Sequence, residues 1–211
     1  MGHIRYTMLM KYAIDTNIFF SFQKDINLGA GPFEVMDALE GAIQRKGAEF
    51  CMPPEIAEEL LTMFEKKDFA RAQQFLARIT VQSPQLSRMT IPASVFAQYI
   101  SEGRRRSLDG LHVAEEILEK TTQSSMGQPP QSRMEWQKSL QQPKEAMRAR
   151  YRNATRTGYL DSLADLQLIL LAVEQGATLV TEDEGVRTWG RLLGATEMTG
   201  AVFGKSITQA A

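Results

Sequence analysis

Two short apolar runs, each followed by acidic residues, organise the hydrophobic pattern of the chain. Residues 8–14 predict a buried strand that ends at Asp15 and Asn17. Residues 177–181 predict another strand, and Asp183 follows it closely. Sites in open α/β sheets form outside the carboxyl ends of strands, so both aspartates are candidates for one site. Asp15 taken alone could equally start a turn or cap the next element.

Helical periodicity fills much of the chain between these strands. Pro32 suits the first turn of a helix, and apolar residues then recur at helical spacing as far as Gly47. A further strand is predicted at residues 48–52, and amphipathic helices follow at 55–66 and 68–79. Strands that alternate with helices predict an α/β fold with a parallel sheet.

A late helix carries two further acids. Ser162 can cap this helix, and Gly176 can end it. With 3.6 residues per turn, Asp161 and Asp165 share one face. That face continues with the apolar residues Leu168, Ile169 and Ala172, whereas the polar side is expected at Gln167 and Glu174.

One acid in the first turn would be explained by the positive end of the helix dipole. Two acids on a face that should be buried, with Asp183 past the next strand, favour a cation site instead. Ionised carboxylates gather in a low-dielectric cleft only when a cation neutralises them, and Mg²⁺ is the usual hard cation. In the predicted helix 55–66, Glu59 borders the apolar stripe and is the acid expected to point inward. The alternative for Glu59 is a solvated acidic first turn.

The middle of the chain differs in charge from the rest. Residues 84–160 carry 12 Lys/Arg and 7 Asp/Glu, a net charge of +5, while the remainder carries 12 and 18, a net charge of −6. The segment predicts helices at 92–100, 108–122 and 134–157, the last kinked at Pro143. These helices would form a protruding hairpin. An amphipathic hairpin outside the main core needs a partner surface, so we expect self-association.

Basic side chains recur on this predicted hairpin. Lys144, Arg148, Arg152 and Arg156 repeat at every fourth residue, and Arg104, Arg105 and Arg106 are consecutive. A solvated face is the ordinary explanation of such a stripe. Because the stripe runs directly into the acidic helix, we interpret it as a phosphate-binding surface for RNA.

Several function classes find no support in the sequence. Cys51 is the only cysteine, and His3 and His112 are far apart, so a disulfide framework and a zinc site are not expected. No Walker motif, dinucleotide fingerprint, signal peptide or membrane-length apolar run occurs, and we expect a cytoplasmic protein with no membrane partner. Residues 199–211 predict a polar, partly frayed tail.

Four pieces of sequence, in this order, resemble the PIN ribonuclease fold. They are Tyr-Ala-Ile-Asp15-Thr-Asn17, Met-Pro-Pro-Glu-Ile-Ala-Glu-Glu59-Leu-Leu, Asp165 in the late helix, and Thr-Leu-Val-Thr-Glu-Asp183. The resemblance implies a three-layer α/β domain with a parallel sheet, and it places Glu59 at a general PIN metal-site position.

Three departures from toxin-type PIN nucleases resemble the HARP family, the minimal protein-only RNase P enzymes of bacteria and archaea. They are the long helical insertion, the pair in Asp161-Ser-Leu-Ala-Asp165, and the segment Arg148-Ala-Arg-Tyr-Arg-Asn-Ala-Thr-Arg-Thr-Gly-Tyr. This resemblance spans nearly the whole chain. It implies a discontinuous metallonuclease domain at 8–83 and 158–205, with a hairpin at 84–157 for oligomerisation and RNA binding.

The same resemblance implies an activity, which is removal of the 5′ leader from precursor tRNA by a large symmetric homo-oligomer. The implied cofactor is Mg²⁺, for which Mn²⁺ can substitute. The catalytic, metal-binding role passes to Asp15, Asp161, Asp165 and Asp183, and Asn17 or Thr16 is expected to hydrogen-bond the scissile phosphate. The alternatives are a toxin-like or general PIN endoribonuclease acting on other RNA, and a non-catalytic RNA-binding scaffold.

Overall fold

The computed structural model describes residues 10–20, 26–129 and 132–208, and the chain divides into two compact units. The first comprises Met1–Ile91 together with Leu160–Ala211. The second unit is Pro92–Tyr159, whereas the sequence predicted an insertion with the bounds 84–157.

A five-stranded parallel sheet forms the centre of the first unit. Strand β1 (Lys11–Ile14) pairs with β2 (Glu49–Met52) on one side and with β4 (Thr178–Val180) on the other. Strand β3 (Thr80–Val81) lies beside β2, and β5 (Glu197–Met198) lies beside β4, which gives the order β3-β2-β1-β4-β5. The predicted α/β class with a parallel sheet is confirmed. The chain leaves β1 for β2 on one side and enters β4 on the other, so the carboxyl ends of β1 and β4 form the topological switch point.

Ten α-helices lie within the described residues. In chain order they are α1 (Asn17–Phe20), α2 (Pro32–Lys46), α3 (Pro54–Thr62), α4 (Phe69–Leu76), α5 (Ala93–Ser125), α6 (Arg133–Ser139), α7 (Gln141–Arg156), α8 (Leu163–Gln175), α9 (Glu184–Leu192) and α10 (Gly200–Thr208). Gly47 ends α2 and Gly176 ends α8, both in the left-handed conformation that glycine adopts at little cost.

The last helix, α10, contradicts the predicted frayed tail as far as residue 208. Phe203 and Ile207, one turn apart, are buried in the core of the first unit. The ring of Phe203 lies 5.0 Å from that of Tyr12 and 6.2 Å from that of Phe50. Because the residues around Phe203 and Ile207 are mostly small or polar, the sequence pattern did not indicate a buried helix here. Residues 209–211 of the predicted tail lie outside the described residues.

In the second unit, α5 runs unbroken where we predicted two helices separated around Gly103. The reason lies in packing, because the space beside Gly103 is filled by the Tyr159 hydroxyl, and a Cβ there would come within 2.7 Å of it. Gly110 likewise allows Tyr151 and Thr155 of α7 to pack closely against α5. A helical glycine costs about 1 kcal/mol relative to alanine, a cost that close packing can offset.

The predicted helix at 134–157 is two helices. Helix α6 ends at Ser139, four residues before Pro143, and α7 begins at Gln141. The proline ring clashes with the carbonyl four residues earlier, so the chain breaks there and Pro143 falls in the first turn of α7. Ser132 and Glu135 form a reciprocal capping box at the start of α6. Across the described residues, no helix is both long and apolar enough to cross a membrane.

Candidate active site

Asp15 stands at the carboxyl end of the central strand and is buried. Its carboxylate accepts hydrogen bonds from the Asn17 side-chain amide at 2.7 Å, from the Thr181 hydroxyl at 2.5 Å and, more weakly, from the Thr16 hydroxyl at 3.3 Å. Burial raises the pKa of Asp15 above its ordinary value, and repulsion from Glu59 adds to this effect. The hydrogen bonds act in the opposite direction because they stabilise the ionised form.

Thr181 connects the two strands of the switch point and was missed by the sequence analysis. Its fully buried hydroxyl donates to Asp15 and accepts from the Asn17 amide at 3.0 Å and from the backbone N–H of Asp183 at 3.0 Å. A hydroxyl has one donor and two acceptor sites, so all of its capacity is used. Thr181 directly follows β4, as Asp15 follows β1. A threonine in this position, beside an aspartate at the end of the neighbouring strand, is the signal that could have revealed its role.

Asn17 also belongs to this network. Its amide nitrogen donates to Asp15 and Thr181, and its carbonyl oxygen accepts from the backbone N–H of Glu182 at 3.0 Å. We expected this amide to donate to a scissile phosphate. In the structure both side-chain N–H groups of Asn17 donate hydrogen bonds within the protein, to Asp15 and Thr181, and the contact with a phosphate stays a prediction.

Asp165 occupies the first turn of α8. Ser162 caps that helix by accepting the backbone N–H of Asp165 at 3.4 Å, as its sequence position indicated. The pKa of Asp165 is raised to about 7, first by burial and then by repulsion from Asp15, Asp183, Glu59 and Asp161. A carboxyl whose ionised form is opposed by four neighbouring acids is one that a cation would stabilise.

Four of the predicted acids line one cavity of about 330 Å³. They are Asp15, Glu59, Asp165 and Asp183, and within the described ranges the other lining residues are Thr16, Asn17, Phe20 and Met63. Asp183 also caps α9, accepting the backbone N–H of Val186 at 3.0 Å. Glu59 on α3 lines this cavity but remains exposed, so it lies at the edge of the cavity and is not buried as an inward-pointing acid would be. The sequence did not predict α9, although its aspartate cap precedes buried Val186 and Trp189 at helical spacing.

The predicted helical placement of Asp161 is wrong. Asp161 precedes the cap residue Ser162, so it lies outside α8, and it is exposed rather than on a buried helical face. It does not line the cavity, although its charge contributes to the raised pKa of Asp165. Gln167, expected on a polar side, is buried, and within the described residues its Oε1 has no hydrogen-bond partner. The helix is more deeply covered than its polar residues suggested.

The cavity fits a hard divalent cation by the type of its donors. All four converging side chains are carboxylates, the donors that Mg²⁺ takes in proteins. In the part of the chain that the structure describes, no three acidic, histidine or cysteine side chains yet stand close enough to hold one ion. Side-chain rotation toward a shared centre is therefore part of any metal binding here.

The predicted RNA-binding arginines fall into two groups within the second unit. Arg105 pairs with Glu102 and Asp109, and Arg106 pairs with Glu102 while its guanidinium lies 5.3 Å from the ring centre of Tyr159. Only 11% of the Arg106 side chain is exposed, so it stabilises the hairpin instead of presenting a charge.

The remaining predicted basic residues, Arg104, Lys144, Arg148, Arg152 and Arg156, are all exposed. Within the described ranges, Lys144, Arg148 and Arg152 on α7 have no carboxylate partner. Their spacing of four residues corresponds to about 6 Å along a helix.

The family model described as PINc domain ribonuclease matches residues 11–210. The chain is 32% identical over 186 residues to a protein of Halorhodospira halophila named RNA-free ribonuclease P, covering 88% of this chain and 84% of that protein. It is 30% identical over 196 residues to the protein of the same name from Thermococcus kodakarensis, covering 92% of each. A third protein of that name, from Alkalilimnicola ehrlichii, is 34% identical over 192 residues, covering 90% of this chain and 92% of the relative.

Proposed function

Because the chain belongs to the PINc domain ribonucleases and, among them, to the HARP family of RNA-free ribonuclease P, we propose that it is the endoribonuclease that removes the 5′ leader from precursor tRNA. One structural observation carries the catalytic part of this proposal. Four carboxylates from separate elements line a single cavity at the switch point of a parallel sheet, and the pKa of Asp165 among them is raised to about 7.

PIN-domain nucleases generally depend on a divalent metal, and we propose Mg²⁺ here, with Mn²⁺ able to substitute. Asp15, Asp165 and Asp183 would hold the cation, and Glu59 and Asp161 are proposed to join them. When bound, the cation neutralises charge at the phosphate and makes water a stronger acid.

The protein's own contribution to this chemistry is orientation. Thr181 and Asn17 both donate to one oxygen of the Asp15 carboxylate, and they would hold this acid in place while the cation and the phosphodiester bind. One carboxylate oxygen of Asp183 accepts the backbone N–H of Val186, and this cap on α9 holds the Asp183 side chain in place. Water attack on the phosphorus expels the 3′ oxygen, and the products are a 5′-phosphate on the mature tRNA and a 3′-hydroxyl on the leader.

For the helical unit we propose two roles, RNA binding and oligomerisation. Lys144, Arg148 and Arg152 offer exposed charges at helical intervals but few groups that read bases, which suits recognition of a folded RNA through its phosphates.

The oligomerisation role rests on an apolar stripe along α5. Phe96, Ile100, Leu111 and Leu118 are each more than half exposed and lie on one side of that helix. A second copy of the chain is the partner that we propose for this stripe, as part of a large symmetric homo-oligomer.

A labelled precursor tRNA tests the proposed function. The wild-type protein with Mg²⁺ should release the leader, EDTA should stop the reaction, and Asp183→Asn should lower the rate at least ~10- to 100-fold while RNA binding persists. Cleavage in the anticodon loop would favour a toxin-like nuclease. Tight binding without any cleavage would favour a scaffold. Full activity in excess chelator would contradict the metal-dependent mechanism.

A further inference from the structure

The cavity that holds the four carboxylates has an apolar wall that the hydrolysis itself does not use. Phe20 and Met63 line the cavity beside Asp15 and Asp165. Met63 is 46% exposed and Phe20 is partly buried, so both present apolar surface at the cavity. Phosphate and ribose are polar, so a wall of this kind would be poorly matched to a substrate that entered the cavity through its backbone alone.

The Phe20 side of this wall packs against a cluster of aromatic rings. The ring of Phe20 lies 5.7 Å from that of Phe64, which in turn is stacked on Phe33 at 5.3 Å. The three rings come from α1, α2 and the segment after α3, so separate elements hold Phe20 in place. Met63 precedes Phe64 directly and ends α3, the helix that supplies Glu59. The apolar wall and one of the acids are therefore carried by the same helix.

The polar groups that the structure describes near the wall offer little for reading a base. Both N–H groups of Asn17 are donated to Asp15 and Thr181, and the Thr16 hydroxyl donates to Asp15. Among the residues that the structure describes, the remaining polar lining consists of carboxylates. A ligand that rests on Phe20 and Met63 would be held by its flat apolar face and not by its hydrogen-bonding edge.

We propose that Phe20 and Met63 form a stacking subsite for the unpaired nucleobase on the 5′ side of the scissile phosphate. The inference rests on the proposed function. In a precursor whose mature 5′ end is base-paired, the first nucleotide of the body is stacked in the acceptor stem, while the adjacent leader nucleotide is free to be splayed onto side chains. Stacking on apolar and aromatic side chains tolerates every base, so the subsite positions the cut without selecting a leader sequence.

This inference is tested by a thermodynamic cycle that combines protein variants with abasic substrates. Wild type, Met63→Ala and Phe20→Leu are each assayed with an intact precursor, with a precursor that is abasic at the leader nucleotide next to the cut, and with one that is abasic a nucleotide further out. Leu86→Ala serves as the control variant, because Leu86 is similarly exposed at 49% and lies outside the cavity lining. Single-turnover rates at saturating enzyme and separate measurements of RNA affinity distinguish positioning from binding.

For the wild type, loss of the adjacent base should lower the single-turnover rate about 5-fold or more, and loss of the outer base should change it less than 2-fold. Met63→Ala should lose a similar factor on the intact precursor and become nearly insensitive to the adjacent lesion, whereas Leu86→Ala should behave as wild type. Phe20→Leu, which keeps apolar bulk, should fall between them.

The fold-decreases in rate caused by the variant and by the abasic lesion could simply multiply when the two are combined. That result would overturn the subsite, because it would show that the side chains and the base act independently. Equal sensitivity of all variants to the lesion would overturn it too. Both outcomes leave leader removal by the wild type intact. Absence of any cleavage by the wild type would instead overturn the proposed function, and the subsite with it.

Discussion

Thr181 donates a hydrogen bond to Asp15 across the two central strands of the sheet, and this contact fixes the acid at the switch point. Thr181→Val keeps the shape of the side chain and removes the hydroxyl. It leaves Asp15 held mainly by Asn17 and leaves the Asp183 N–H without its acceptor. We expect cleavage to fall ~10- to 100-fold, as for partners that orient metal ligands. The rate should largely return with Thr181→Ser.

Circular dichroism and the Mg²⁺ concentration at half-maximal rate distinguish positioning from folding in that experiment. A positioning role predicts a folded variant that needs more Mg²⁺. A folded Thr181→Val protein with the wild-type rate and Mg²⁺ requirement would show that this hydrogen bond is dispensable.

The raised pKa of Asp165 predicts how pH and Mg²⁺ affect stability. The folded carboxyl keeps its proton up to a pH of about 7, while the unfolded one loses it near 3.8. The folded state therefore binds more protons in this interval, and the stability of the metal-free protein should fall as pH rises through it. Mg²⁺ neutralises the carboxylate cluster, so adding Mg²⁺ should raise the Tm of the protein more at pH 8 than at pH 6.

The substitution Asp165→Asn tests the effect of this charge on stability. It removes one charge from the cluster, and we expect the metal-free variant to be more stable than wild type at pH 8 by a few degrees, since 1 kcal/mol corresponds to about 2–4 °C for a chain of this size. Glu58→Gln is the control, because Glu58 is exposed on the same helix as Glu59 but does not line the cavity. A lower Tm for Asp165→Asn at pH 8 would contradict the account of repelling carboxylates.

The two groups of arginines in the helical unit predict different effects on RNA binding. Replacing Arg148 and Arg152 with alanine should weaken binding to all precursors about equally and reduce the slope of log K against log salt by about 1.5. Replacing Arg105, which is paired with Glu102 and Asp109, should have a smaller effect. Fluorescence anisotropy at several salt concentrations measures both. Equal losses for the two sets would mean that the internal ion pairs do not decide which charges meet RNA.

The exposed stripe on α5 predicts the oligomeric state. Full-length protein should have a mass several times 23.7 kDa by light scattering. The double substitution Ile100→Glu and Leu118→Glu should shrink the particle, because burying unpaired carboxylates in a contact is unfavourable. Leu86→Glu in the first unit is the control. A monomeric wild type at micromolar concentration would contradict self-association.

The sequence predicted the elements that carry strong local patterns. Asp15 and Asp183 follow short apolar runs, and Gly47 and Gly176 end their helices, so the sheet edge with its acids was accessible from pattern alone. Strands β3 and β5 were not, because each has only two residues and depends on a neighbouring strand to form.

Tertiary packing explains the remaining differences. Gly103 suggested a break in α5, but the Tyr159 side chain uses the space that glycine leaves. Asp161 suggested a helical pair with Asp165, but the cap at Ser162 begins the helix after Asp161. The Thr181 network joins residues more than 160 positions apart, which no local pattern contains.

The most direct test of the account maps the cut in a set of precursor tRNAs whose leaders differ in length and sequence. The wild-type protein with Mg²⁺ should cut every precursor once, at the leader boundary, and leave a 5′-phosphate on the tRNA and a 3′-hydroxyl on the leader. Asp15→Asn should bind the same RNAs and cut none of them. Cleavage that follows leader sequence, or that falls within the anticodon loop, would contradict the assignment of this chain to leader removal.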